Sequence, residues 1–158
     1  MTWGIGRERI EQLVADGELQ LVEASPELAE RLMEEADAHL VSAQRIEDVD
    51  RVGAFQLAYD GARKACSALL AVQGIRATTK GGHIAVQDAV IEQFNGPKGF
   101  ADFKKFRHLR RERGEREYPG PTSPTTSVSD LEAAIEDATT IVGACHKLLD
   151  SGKIDRFV

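Results

Sequence analysis

The residues best able to do chemistry crowd into one short stretch. Between Lys104 and Arg116 there are seven cations (Lys104, Lys105, Arg107, Arg110, Arg111, Arg113, Arg116) against two anions, Glu112 and Glu115. The stretch therefore carries +5 and the rest of the chain −11. Guanidinium groups at this density suit a phosphate-bearing ligand or an acidic partner surface, because each planar fork can bind two phosphate oxygens. A solvated helix face is the plain alternative. The spacing narrows the choice. Phe103 and Phe106 begin an apolar stripe at helical steps, and Arg110, Arg113 and Glu117 continue it. Charge thus stands where hydrocarbon is expected, and unpaired charge there costs several kcal/mol. These side chains must reach a cleft, a partner subunit or one another; Arg113 and Glu117, four apart, can pair along the helix. Gly114 costs this helix about 1 kcal/mol relative to alanine. It marks a bend or a close backbone approach, unless the helix frays ahead of Tyr118-Pro119.

A counterpart lies upstream in Tyr59, Asp60, Arg63 and Lys64. Tyr59 falls on an apolar seam, where a buried phenol needs a hydrogen-bond partner and one of the arginines can face it, or where its hydroxyl simply stays wet. Asp60 and Lys64 can pair along the helix surface. His83 follows Lys80-Gly81-Gly82 at a helix start. Free backbone amides and a lysine there can hold a phosphate, or the turn is only a cap with an exposed histidine. No histidine shows metal-ligand spacing, and no metal or cofactor is expected.

Helices joined by short, punctuated loops must position these groups. A short helix is expected over Arg7 to Ala15. Ser25-Pro26-Glu27 then opens a second, with a capping serine, proline at the first helical position and an acid in the first turn; Leu28, Leu32, Ala36, Leu40 and Ala43 continue it. Val52, Phe55, Tyr59, Ala62, Cys66 and Leu69 recur at steps of three and four, the seam of a third helix that stops at Gly74. Arg76 to Gly82 reads as a loop. Ile84, Val90, Ile91 and Phe94 mark a fourth helix ending at Asn95-Gly96-Pro97, and a fifth starts near Phe100. The stretch Pro119 to Ser127 must be an exposed connection. The last helix opens with Ser129 and Glu132 as a capping box and buries Leu131, Ile135, Ala138, Ile141 or Val142, Cys145 and Leu148. The fold class is all-α, an up-and-down bundle of four to five helices over residues 25–158, preceded by a short helix and connection over residues 1–24.

Composition excludes several function classes. With 158 residues, 42% of them hydrophobic and 29% charged, the chain reads as one globular domain rather than a disordered or fibrous one. A net charge of −6 argues against nucleic-acid binding over the whole surface, which leaves the basic stretch as a local exception. Two cysteines, Cys66 and Cys145, sit in apolar helical patterns and read as reduced thiols of a cytoplasmic protein. No segment approaches the roughly 20 apolar residues of a membrane span, and none reads as an export signal.

Taken in order, Ala58 to Ala65 on a long helix, Gly74-Ile75-Arg76, Gly81-Gly82-His83, and Phe106 through Arg113 to Glu117-Tyr118-Pro119 resemble a prokaryotic HEPN domain. The resemblance covers about Leu40 to Leu149. It implies a four- or five-helix bundle that forms a homodimer and binds RNA or a nucleotide. Many such proteins are metal-independent endoribonucleases, often toxins paired with a nucleotidyltransferase antitoxin. The family signature is an arginine, usually a polar residue next, and a histidine four to six residues after the arginine. Here it falls on Arg113-Gly-Glu-Arg-Glu-Tyr118, with glycine for the polar residue and tyrosine for the histidine. Arg76 and His83 match the spacing but lie between earlier helices, so the match is read as coincidental. The resemblance thus implies Arg113, Glu117 and Tyr118 as catalytic residues, with Arg113 on the phosphate and Glu117 or Tyr118 handling protons. Arg107, Arg110, Arg111, Tyr59 and Arg63 complete the ligand-binding set. A tyrosine with an ordinary pKa near 10 is a poor base at neutral pH. The same bundle without chemistry, docking a nucleotide or partner protein, is the alternative.

Overall fold

The computed structural model describes residues 3–94 and 103–158, which form a mainly helical structure of six helices and one two-stranded sheet. The helices are α1 (Arg7–Ala15), α2 (Pro26–Ile46), α3 (Arg51–Gln73), α4 (Gly82–Phe94), α5 (Lys105–Glu117) and α6 (Val128–Asp150). Their ends follow local chemistry. The Ser25 hydroxyl accepts the Leu28 amide, with Pro26 in the first turn of α2, and the Asp50 carboxylate accepts the Gly53 amide of α3. Gly74 closes α3 in the left-handed conformation (φ 76°). The expected ends at Asn95-Gly96-Pro97 and near Phe100 lie outside the described residues.

Three local expectations are corrected first. The capping box of α6 is formed by Ser127 and Asp130, not by Ser129 and Glu132. Both pairs fit the same four-residue pattern, but the chain is still extended at Ser127 (ψ 164°), so the helix begins there. Arg76 and Ala77, read as the start of a loop, belong instead to β2 (Ile75–Ala77), which pairs antiparallel with β1 (Leu19–Leu21) in the register Leu19↔Ala77, Gln20↔Arg76, Leu21↔Ile75. Strands of three residues are too short to show a two-residue alternation. Ile84, placed on the buried stripe of α4, is half exposed.

α3 is the axis of the core. Phe55, Ala58, Tyr59, Ala62, Ala65, Cys66 and Leu69 are each at most 2% exposed, so the apolar seam is real apart from the half-exposed Val52 at its start. α2 runs antiparallel to it, with Lys64 meeting Glu35 and Asp60 meeting His39, and the bare backbone of Gly61 lies against the Ala36 carbonyl. α5 also runs antiparallel, Phe106 stacking on Tyr59 while Arg116 lies over Phe55. α4 breaks the alternation. It starts beside Tyr59 and ends where Gln93 exchanges two hydrogen bonds with Gln73, so it runs in the same sense as α3. α1 and β1 join this core through Ile10, Leu13 and Leu19. No helix among the described residues is long and apolar enough to cross a membrane.

The sheet places α4, and with it His83. Thr78 donates to the carbonyls of Gly17 and Glu18, and Lys80 to that of Asp16. Gly81 presses its Cα against the Glu18 carbonyl, leaving no room for a Cβ. Gly114 lies in regular helix with open space around it, marking neither a close approach nor fraying. The same substitution should therefore act with opposite signs. Gly81→Ala is expected to cost about 2 kcal/mol by overpacking, lowering the melting temperature by roughly 4–8 °C. Gly114→Ala should raise it, by about 1 kcal/mol of helix propensity. Thermal denaturation followed by circular dichroism checks both; a neutral Gly81→Ala would contradict the packing at this turn.

Candidate functional site

Tyr59 organises the charged groups around itself. Its ring is 1% exposed, held by Phe106 of α5 at a centroid distance of 5.7 Å. Burial pushes the phenol pKa up to about 12, despite the opposing charges of Arg113, Arg63 and Arg110, so the hydroxyl keeps its proton at any physiological pH. That hydroxyl lies 3.0 Å from Nδ1 of His83. Above the ring sits the Arg113 guanidinium, 5.4 Å from the centroid, within cation–π range. The sequence reading that an arginine can face Tyr59 therefore holds, and it is Arg113.

The arginines differ in their partners. Arg113 Nη2 is 2.6 Å from Glu117 Oε2, the i,i+4 pair expected from the spacing. Yet no N–H among the described residues is well aligned on that enclosed oxygen, so it keeps an unfilled acceptor site. Arg63 binds Asp60 through Nε and Nη2 at 2.8 and 2.6 Å. Burial would raise the Asp60 pKa, but the hydrogen bond and charge of Arg63, with Lys64 and His39, hold it below the ordinary value. Lys64 lies 4.0 Å from Asp60 and is held more closely by Glu35, at 2.6 Å. Arg110 donates to the neutral amide oxygen of buried Gln87 at 3.0 Å and forms no ion pair among the described residues. Three guanidiniums thus share two carboxylates, leaving an excess positive charge around the phenol. A groove of about 320 Å³ opens here, with Gln56, Leu57, Tyr59, Asp60 and Arg113 in its wall. His83 does not line this groove and is linked to its wall through the Tyr59 hydroxyl.

The rest of the expected set lies elsewhere. Arg107 is 55% exposed and loosely paired with Asp88, and exposed Arg111 lies against His108. Both are on the outer side of α5, so the basic stretch has two faces. Tyr118 is 79% exposed past the last turn and does not join the Tyr59 group. Arg116 is a structural clamp, bound to Glu112, Thr126 and Asp130 while covering Phe55. The Gly81-Gly82 turn has no amides to spare for a phosphate, since both donate to Thr78.

His83 is the residue that sequence reasoning placed but did not connect. It is half buried, and burial, with the charges of Arg63 and Arg113, lowers its pKa; Asp60 and Glu117 oppose this only in part. The ring is therefore neutral at neutral pH. With Nδ1–H donating to the Tyr59 oxygen, Nε2 is a free base; with the phenol donating to Nδ1, Nε2 carries the proton. The pair can take up or release a proton beside Arg113.

No family model, no curated protein and no solved structure matches this chain.

Removing one cation should relax His83. In Arg113→Ala, NMR titration of the imidazole Cε1–H signal should show the His83 pKa rising toward the ordinary value of 6.5; an unchanged value would separate the two groups. The folded pKa lies below the unfolded one, so this histidine's contribution to stability is complete above about pH 6.5 and is lost as the pH falls below it. Urea midpoints between pH 7 and 5 should decline less in His83→Gln than in the parent chain.

Proposed function

We propose that this chain is a HEPN-like RNA-binding protein that holds the phosphodiester backbone in the groove beside Tyr59. The observation that carries this reading is the gathering of Arg63, Arg110 and Arg113 about a buried phenol, with fewer carboxylates than guanidiniums. A phosphate brought to the groove competes with Glu117 for Arg113, which can exchange one anion for another without moving off the Tyr59 ring. Arg110 needs no such exchange, because its present acceptor is neutral. The bidentate fork of arginine matches phosphate geometry, and exposed bases of single-stranded RNA can stack or hydrogen-bond nearby. The outer residues Arg107 and Arg111 add long-range attraction for the strand rather than contact with the held phosphate. Dimerisation, and pairing with a nucleotidyltransferase antitoxin, belong to this proposal through the family resemblance alone.

The neutral His83 beside Arg113 also supports metal-independent cleavage within the same reading. The 2′-hydroxyl proton passes to the Tyr59 oxygen as that hydroxyl gives its own proton to His83 Nδ1, and the 2′-oxygen attacks phosphorus. The 5′-oxygen then leaves, taking a proton from water, and a 2′,3′-cyclic phosphate remains. Arg113 stabilises the charge that develops on the phosphate oxygens. In this assignment His83 takes the proton-transfer role, and Tyr118, exposed and apart, takes none.

Binding to a single-stranded oligonucleotide across a salt series tests the first part. Three phosphate contacts predict a slope of log affinity against log salt near −2, and Arg110→Ala or Arg113→Ala should each lessen it by about 0.7. A slope that falls in Arg111→Ala but not in Arg113→Ala would move the binding surface to the outer face. Incubation with labelled RNA in excess EDTA tests the second part: cleavage lost in both Arg113→Ala and His83→Ala supports it, and an inert parent chain removes it.

A further inference from the structure

A second concavity lies away from the arginines, between the C-terminal half of α6 and the segments at residues 3 and 151–154. At about 690 Å³ it falls within the range of small-molecule sites, roughly 300–1,000 Å³. Trp3, Gly143, Leu148 and Ile154 line it, and Lys147 and Lys153 are the charged residues in its wall among the described residues.

Two observations point to an occupant of this groove, whose wall includes the Trp3 ring packed on Phe94 at 5.4 Å. Gly143 stands in the interior of α6, where alanine would be better by about 1 kcal/mol. A Cβ there would meet nothing within 4 Å, so no part of the described chain requires the bare backbone. Lastly, neither Lys147 nor Lys153 has a carboxylate partner among the described residues, on a chain whose net charge is −6.

We propose that this groove binds an amphipathic monocarboxylate, its aliphatic chain lying along Gly143 and Leu148 and its head held by Lys147 and Lys153. Nothing in the lining favours a base or sugar. The hydroxyls of Thr139, Thr140 and Ser151 already donate to carbonyls of their own helix. The remaining recognition is apolar surface plus positive charge, which is what a fatty acid offers and a nucleotide does not.

Trp3 is the sole tryptophan of the chain, so its fluorescence reports on the groove directly. Titration of the full chain with sodium decanoate below its micellar range should give a saturable change in emission, and decyltrimethylammonium should give none. The double variant Lys147→Glu, Lys153→Glu should bind roughly tenfold more weakly, the scale of losing a charged hydrogen bond. Gly143→Leu fills the groove with a better helix former and should abolish the saturable change while leaving the circular dichroism and RNA binding of the parent. Equal binding of the cationic detergent, or unaltered binding in Gly143→Leu, would overturn the proposal. So would a parent chain that sediments as a dimer and becomes monomeric in Gly143→Leu, since a second copy would then be the occupant.

Discussion

A phenol at the centre of a helical bundle cannot leave its hydroxyl unpaired without losing about 1–3 kcal/mol, and much of this molecule is arranged around that requirement. Tyr59 is on the axis helix, shielded by Phe106, and the nearest partner for its oxygen is His83. To bring that histidine there, the chain leaves α3 at Gly74, pairs β2 with β1, and turns at Gly81 against the Glu18 carbonyl. The small sheet and the N-terminal helix therefore serve the same end as the bundle: they fix where α4 begins.

The charges follow from the same centre. An arginine on the inner stripe of α5 would be costly in hydrocarbon, but over the electron-rich face of Tyr59 it gains a cation–π contact, and Glu117 one turn on partly neutralises it. Arg110, a turn earlier, is satisfied by an amide rather than an acid. The result is a cationic cluster that is tolerated by the fold yet not fully compensated, the condition under which an anion can bind without first breaking the structure. Burial first, and then that excess charge, lower the His83 pKa.

Much of this was legible in the chain itself, for reasons that differ by residue. The Phe103, Phe106, Arg110, Arg113, Glu117 stripe is local, so its inward charge and the Arg113–Glu117 pair could be read from spacing alone. So could the seam of α3 and the caps at Ser25 and Gly74, each written within a few residues. The Tyr59–His83 contact spans 24 residues and depends on a sheet whose strands are three residues long, which leaves no periodic signal. The side-by-side run of α3 and α4 is hidden for the same reason. Tyr118 was drawn in by the resemblance to a histidine position, whereas its place after the last turn of α5, before Pro119-Gly120, leaves it in solvent. Arg116 shows the opposite failure, a cation counted with a binding strip that is wholly engaged in holding α5 to α6.

The most direct test is where RNA touches the protein. In an NMR titration of isotopically labelled chain with a short single-stranded oligonucleotide, the largest shifts should fall on Tyr59, His83, Arg110 and Arg113, including the guanidinium Nε–H signals of the two arginines. Shifts confined to Arg107, Arg111 and the outer side of α5, or none at all, would contradict the placement of a phosphate beside the buried phenol.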